Sequence, residues 1–153
     1  MNNTALQSQY ELSDDTRQSF AQHGHCVVRN LASSDEISVY KNAIDEATME
    51  RRWDKRPIEE RDTYGKAFIQ SAALCNHSDK VKEFVFAQRF ARVAAELLGV
   101  DGVRLYHDQA LYKEPGGGFT PWHQDQVYWP LNTNRTITMW MPTIDVPSEI
   151  GGV

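Results

Sequence analysis

Cysteine and long apolar stretches are both scarce in this chain of 153 residues. The two cysteines, Cys26 and Cys75, form no Cys-x-x-Cys pattern, which argues against a redox couple or a thiolate metal cluster. No apolar N-terminal segment resembles a signal peptide or a membrane span. We therefore expect a cytoplasmic protein that has no membrane partner.

Positive charge is also in short supply, because 16 Lys and Arg residues face 21 Asp and Glu residues and the net charge is -5. A nucleic-acid-binding surface requires clustered basic side chains. The one basic cluster, from Arg51 to Arg56, is interrupted by Trp53 and Asp54 and followed by acidic residues. This pattern favours a solvated segment that pairs its own charges, so we expect no nucleic-acid partner.

The remaining composition is that of an ordinary globular protein, with 41% apolar and 24% charged residues. The length is sufficient for one core, so we expect residues 1–153 to form a single domain. Within it we expect a loose tail over 1–12, mainly helical structure over 13–98 and the first strands of a sheet over 99–153. Helices first and strands last predict an α+β fold, with the helices on one face of an antiparallel sheet.

Capping residues and apolar periodicity define the individual elements. The predicted helices run from Ser13 to Phe20, from Ser33 to about Glu50 and from Ser78 to Leu98. The predicted strands cover 25–30, 66–70, 103–112, the residues around 123 and 136–140.

The most informative stretch follows the glycines at 116–118 and contains His123 and Asp125. In a strand, residues i and i+2 project to the same face, so this imidazole and this carboxylate can meet one metal ion. One further histidine would complete the two-histidine, one-carboxylate triad of non-haem iron(II) oxygenases. No histidine follows Asp125 in the sequence.

A second His-x-Asp pattern, at His77 and Asp79, precedes a helical apolar period. An N-cap residue and a first-turn acid belong at that place, so we predict capping there and no metal. His107 is interpreted as a core or sheet-face residue. A cupin-like protein that binds zinc or nickel through His107, His123 and Asp125 stays an alternative.

Four short runs of sequence carry a family resemblance: RLYHDQALYKEPG at 104–116, WHQD at 122–125, TMW at 138–140 and the glycines at 151–152. Together they resemble the phytanoyl-CoA dioxygenase family of iron(II)- and 2-oxoglutarate-dependent oxygenases, most densely over residues 99–153. The resemblance implies a double-stranded β-helix, or jelly roll, incomplete at its C-terminal side, with the N-terminal helices packed on it. It further implies that His123 and Asp125 are the first two iron ligands. Gln109 and Trp140 match positions that line the 2-oxoglutarate pocket, and Lys66 is a weaker match to the same pocket.

The implied function is a non-haem iron(II)- and 2-oxoglutarate-dependent dioxygenase that uses dioxygen to hydroxylate a small organic or acyl substrate. The family's distal histidine and the arginine that pairs with 2-oxoglutarate have no counterpart here, so we expect the 153-residue chain alone to be inactive. A truncated or degenerate relative that acts as a non-catalytic binding or scaffold domain is the second hypothesis. For the glycines at 116–118, a hairpin loop and a substrate gate both agree with the sequence.

Overall fold

The computed structural model describes residues 5–63, 65–118, 120, 122–147 and 149. Its α-helices and strands are, in chain order, α1 (Asp14–His23), α2 (Ser34–Arg51), β1 (Ile69–Ala72), α3 (Asp79–Val85), α4 (Gln88–Leu98) and β2 (Gln109–Tyr112). Short 3-10 helices cover Ala5–Gln7, Ile58–Glu60, Leu74–Asn76 and Asp125–Tyr128. Helices together with a small antiparallel sheet confirm the α+β prediction, whereas the jelly roll stays a prediction. The glycines at 151–152, which form part of the family resemblance, lie outside the described residues.

The first two helices begin at the predicted capping residues. The Ser13 hydroxyl accepts a hydrogen bond from the Thr16 amide at 3.2 Å, and α1 ends at Gly24 with a left-handed φ of 74°. At the start of α2, Ser33 and Glu36 form the predicted capping box, in which each side chain bonds to the backbone amide of the other residue. These contacts satisfy amide groups that the first turn of a helix leaves without partners.

The single helix predicted over 78–98 is wrong, because the chain forms α3 and α4 with a break at Phe86 and Ala87. In a continuous helix, the core face containing Val81 and Phe84 would continue at Gln88, a polar residue. The break instead buries Ala87 completely and leaves Gln88 exposed. The core is therefore filled by the smaller apolar residue, at the cost of helix continuity.

The apolar core lies between the helices and the first described residues of the chain. Leu6 and Leu12 are only 1% and 5% exposed, so residues 5–12 do not form the loose tail that the sequence suggests. Arg89 on α4 helps to hold this segment, because its guanidinium donates to the Ser8 hydroxyl and to the Leu31 carbonyl. The buried core residues are Leu6, Leu12, Leu31, Tyr40, Ile44, Ala47, Leu74, Val81, Phe84, Ala87, Phe90 and Val93.

The sheet consists of β1 and β2, paired antiparallel with Ile69 opposite Tyr112. Two side chains attach it to α2. The Ser71 hydroxyl donates to the Thr48 carbonyl at 2.9 Å, and the Tyr112 hydroxyl donates to the Asp45 carboxylate. Burial, with Asp45 adding to it, raises the pKa of Tyr112 well above its usual range, so this hydroxyl stays protonated as a donor.

Most of the predicted strands do not form. Residues 25–30, 103–108 and 136–140 belong to no strand, and the strand predicted over 66–70 lies at Ile69–Ala72. Alternating polarity identifies a segment that can pair, but a strand also requires a partner at the correct register. Within the described residues only 69–72 and 109–112 meet this condition. None of the helices described has the length and apolar character needed to cross a membrane.

Candidate functional site

The side chains of His123 and Asp125 converge, as the i, i+2 spacing predicts, with His123 Nε2 3.4 Å from Asp125 Oδ1. The predicted strand around them is wrong. Asp125 is the first residue of a 3-10 helix, in which the Val127 amide donates to the Gln124 carbonyl at 3.2 Å. The two side chains therefore meet at the entrance to a tight turn rather than on one face of a pleated strand.

The separation of these two atoms is compatible with one shared metal ion. Two ligand atoms that each lie about 2.1 Å from an ion, at an angle of about 90° to 110°, are about 3.0 to 3.4 Å apart. The observed distance of 3.4 Å falls at the upper end of this interval. The side chains are 39% and 40% exposed, which leaves open space for further ligands. An imidazole nitrogen and a carboxylate oxygen also form the donor set that iron(II) accepts in non-haem oxygenases.

Asp125 is held in place from its far side by Thr138. The Thr138 hydroxyl donates to Asp125 Oδ2 at 2.7 Å, while Oδ1 faces His123. One residue further on, Gln126 Oε1 accepts a hydrogen bond from the Thr136 hydroxyl at 2.8 Å. Two threonines thus attach the segment at 136–138 to the 3-10 helix, and one of them fixes the carboxylate orientation.

His123 and His107 each pack against aromatic rings, but against different ones. The Tyr128 ring packs edge-on against His123, with centroids 5.9 Å apart, which limits rotation of the imidazole. His107 instead packs against Tyr106 and Trp129, with centroids 5.1 and 6.1 Å apart. In the described part of the chain, no group of three or more His, Cys, Asp or Glu side chains could hold a metal ion. The structure therefore does not bring His107 to His123 and Asp125, and the cupin-like ligand set gains no support.

The family resemblance assigns three further residues, Gln109, Trp140 and Lys66, to the 2-oxoglutarate pocket. Gln109 is the exposed first residue of β2, and the Trp140 side chain is 50% exposed. The contacts described above for His123 and Asp125 are to each other, to Tyr128 and to Thr138. Lys66 lies in a turn, where its carbonyl accepts from the Gly118 amide at 3.1 Å.

The second His-x-Asp pattern has the capping structure predicted for it. Ser78 is the N-cap of α3, and its hydroxyl accepts from the Val81 amide at 3.3 Å. His77 Nε2 lies 3.1 Å from Arg51 Nη2. A guanidinium can only donate, so the imidazole accepts here and its lone pair is engaged.

Thr138 is the site residue that the sequence did not single out. Its position in the middle of the predicted strand 136–140 gave no reason to connect it with Asp125. A hydroxyl residue near a candidate carboxylate ligand is a usable signal only when the fold brings the two segments together.

The sequence model of the family described as phytanoyl-CoA dioxygenase matches residues 20–153 of this chain. The match covers the whole site, from β2 through the glycines at 116–118 to His123, Asp125 and Thr138. No curated protein and no solved structure shows significant similarity to the chain.

Proposed function

Because the chain belongs to the phytanoyl-CoA dioxygenase family, we propose that it is a non-haem iron(II)- and 2-oxoglutarate-dependent dioxygenase that hydroxylates a small organic or acyl substrate. The observation that carries the proposal is the approach of His123 Nε2 to within 3.4 Å of Asp125 Oδ1. These two residues match the family's first two iron ligands. Their distance and donor chemistry fit one ion, as worked out above.

His123 and Asp125 would hold the iron, each through one atom. Thr138 occupies Asp125 Oδ2 and so directs Oδ1 toward the metal position, while Tyr128 restricts the His123 ring. Such outer contacts reduce the conformational freedom that the ligands must lose when a metal binds. The chain thus prepares a two-residue ligand pair before any metal is present.

When bound, iron(II) with 2-oxoglutarate and dioxygen supplies the oxidation of a C–H bond to an alcohol, and 2-oxoglutarate leaves as succinate and carbon dioxide. The protein's own contribution is to orient the ligands and to bind the two organic molecules beside them. We assign Gln109 and Trp140 to the 2-oxoglutarate pocket on the family resemblance, and we propose the jelly roll as the complete fold.

The test is a titration with Co(II), which resists oxidation by air, followed by NMR of the histidine side chains. NMR measures weak affinities and also identifies which of the five histidines responds. The variants are His123→Ala and Asp125→Ala. The control is the double variant His77→Ala/Asp79→Ala, which removes the other His-x-Asp pattern of identical spacing.

We expect the His123 signals of the unaltered chain to respond first, and each site variant to weaken Co(II) binding at least about tenfold. The control variant should bind as the unaltered chain does. Equal affinity in His123→Ala would refute the proposal. Turnover is tested separately, as succinate formed from 2-oxoglutarate in the presence of candidate substrates, and we expect none from these 153 residues alone, which contain no counterpart of the family's distal histidine and arginine.

A further inference from the structure

The segment that leads from β2 to His123 contains a tight turn, the glycine loop, defined here as residues 114–118. The Gly117 amide donates to the Glu114 carbonyl at 2.9 Å, with Pro115 second and Gly116 third in the turn. Gly116 has a φ of 79°. Proline followed by a residue of positive φ is the pattern of a type II turn, so the sequence Glu-Pro-Gly-Gly itself specifies this geometry.

The glycine loop lies directly against the turn that contains Lys66. A Cβ atom on Gly117 would lie 2.9 Å from the Lys66 carbonyl oxygen and 3.0 Å from that of Glu114. Both are backbone atoms, which cannot move aside as a flexible side chain can. The next amide, that of Gly118, donates to the same Lys66 carbonyl at 3.1 Å. Only glycine at 117 allows this close approach.

An ion pair joins the same two segments. Arg61 Nη1 pairs with Glu114 Oε2, and the Arg61 side chain is 5% exposed while that of Glu114 is 28% exposed. Arg61 Nε also donates to the Arg56 carbonyl at 2.8 Å. A cation this deeply buried needs a charged partner, because removing that partner leaves the desolvation cost uncompensated.

The far end of the glycine loop is held as well. Lys113 Nζ donates to the Gly118 carbonyl at 2.6 Å and lies 4.2 Å from the centre of the Phe68 ring. Residues 113–118 are therefore attached to residues 61–68 by backbone, ionic and cation–π contacts. This arrangement favours a fixed loop over a mobile gate.

We propose that Arg61 and Glu114, which we call the Arg61–Glu114 clasp, are positioning residues for the metal site. By fixing the glycine loop, the clasp sets the point from which the chain enters the segment of His123 and Asp125, and it pre-organises that pair. The inference rests on the proposed function, since it names the residues that make the ligand pair ready to bind.

The location of the clasp separates this role from a general role in stability. The apolar core cluster between the helices includes none of the described residues of 61–68 and 113–118, where the buried residues are Arg61 and Ala67. Loosening the glycine loop should therefore leave the packing of α2, α3 and α4 intact. If the Arg61–Glu114 clasp served only the overall fold, loosening it would instead disturb the packing of these helices.

Two variants loosen the loop by unrelated means. Glu114→Gln removes the charge that balances Arg61, and Gly117→Ala forces the loop away from the Lys66 carbonyl. A control of the same substitution type exists for each. Glu96→Gln breaks another Arg–Glu pair, that of Arg17 on α1 with α4, and Gly102→Ala adds a Cβ where nothing lies within 4 Å.

Three measurements on the metal-free and Co(II)-titrated chain decide the matter: exchange of the Gly118 amide, the nuclear Overhauser contact between the His123 and Tyr128 rings, and the Co(II) dissociation constant. We expect Glu114→Gln and Gly117→Ala each to speed the amide exchange, weaken the ring contact and raise the dissociation constant about tenfold. Both controls should leave all three unchanged, and the amide chemical shifts of α2, α3 and α4 should be the same in every variant, because the packing of these helices does not depend on the glycine loop.

Failure of this inference is distinguishable from failure of the proposed function. If His123→Ala binds Co(II) normally, the proposed function is wrong, and the metal-free amide exchange and ring contact still decide whether the clasp positions His123. If His123→Ala loses binding but Glu114→Gln and Gly117→Ala keep the ring contact and the affinity of the unaltered chain, the clasp inference is overturned. Changed amide shifts in α2, α3 and α4 together with loss of site order would also overturn it, because the clasp would then serve the whole fold.

Discussion

Replacing Thr138 with valine removes the hydroxyl that donates to Asp125 Oδ2 at 2.7 Å and keeps the β-branched shape of the side chain. A hydrogen bond to a charged group contributes about 1.5 to 3 kcal/mol when it is shielded from water. The Asp125 side chain is 40% exposed, so water replaces part of the lost bond. Water therefore limits the cost to folding stability, whereas loss of an outer contact to a metal ligand typically weakens metal binding about 10- to 100-fold, so we expect about tenfold weaker binding, or about 1.4 kcal/mol.

The loss should appear in metal affinity more than in folding stability. Without the Thr138 hydroxyl the Asp125 carboxylate can rotate, and binding an ion must then fix its orientation again. The measurement is the Co(II) titration by NMR, compared with urea unfolding of the same variant. We expect a change in unfolding free energy below about 1 kcal/mol, since the residue is exposed and lies outside the buried core.

Thr138→Ser provides the decisive comparison because it restores the hydroxyl and lacks only the methyl group. It should bind Co(II) within about twofold of the unaltered chain, on the same reasoning about hydrogen bonds to carboxylates. If serine and valine weaken binding equally, packing rather than the hydrogen bond is responsible. If valine binds as well as threonine, Thr138 does not orient Asp125.

Features that depend on neighbours in sequence could be predicted before the structure. The caps of α1 and α2 and the N-cap at Ser78 each join residues three positions apart, so the sequence contains the complete interaction. The approach of His123 to Asp125 also joins near neighbours and was predicted, although the strand expected around them does not form, whereas for the glycines at 116–118 the sequence left a hairpin loop and a gate both open. At the helix caps the sequence predicts the local geometry, because few conformations provide hydrogen-bond partners for the backbone amide and carbonyl groups.

Strands were predicted poorly for the opposite reason. The stretch at 103–112 alternates over its whole length, but only Gln109–Tyr112 finds a partner strand among the described residues. Alternating polarity predicts the face of a strand on which each side chain lies. It does not predict whether a second strand pairs with it in the correct register. The broken helix at Phe86 and Ala87 has a related cause, because the burial of Ala87 is decided by the core and not by helix propensity.

The candidate site shows the same division. His123 and Asp125 lie two positions apart and were found, whereas the partner of Asp125 lies 13 residues later and the two members of the Arg61–Glu114 clasp lie 53 residues apart. Arg61 in particular belongs to a charged stretch that the sequence indicated to be solvated, yet its side chain is 5% exposed. Residues that position a site from a distance have no spacing rule, so only the fold identifies them.

Three further predictions follow from individual contacts. His107→Ala should leave the Co(II) affinity unchanged, because the His107 ring packs against other aromatic rings, and a large loss measured by NMR would make it a ligand. Arg89→Met should lower the unfolding free energy by about 3 to 5 kcal/mol in urea, since it leaves the carboxylate of Glu36 without the guanidinium that lies 2.9 Å away, whereas the exposed Arg92→Met should change it by less than about 0.5 kcal/mol. The last concerns Cys75, where burial first and a nearby carboxylate second raise the thiol pKa from 9.0 to about 11. A group whose pKa is higher in the folded state holds its proton more tightly there, so the stabilisation is present below about pH 9 and is lost as the pH rises toward about 11. Two pKa units correspond to about 2 to 3 kcal/mol, and this loss should appear as the difference between the unaltered chain and Cys75→Ala when urea unfolding is measured at a series of pH values, since Tyr112 titrates in both proteins. Parallel pH profiles for the two proteins would mean that the folded environment does not disfavour the thiolate.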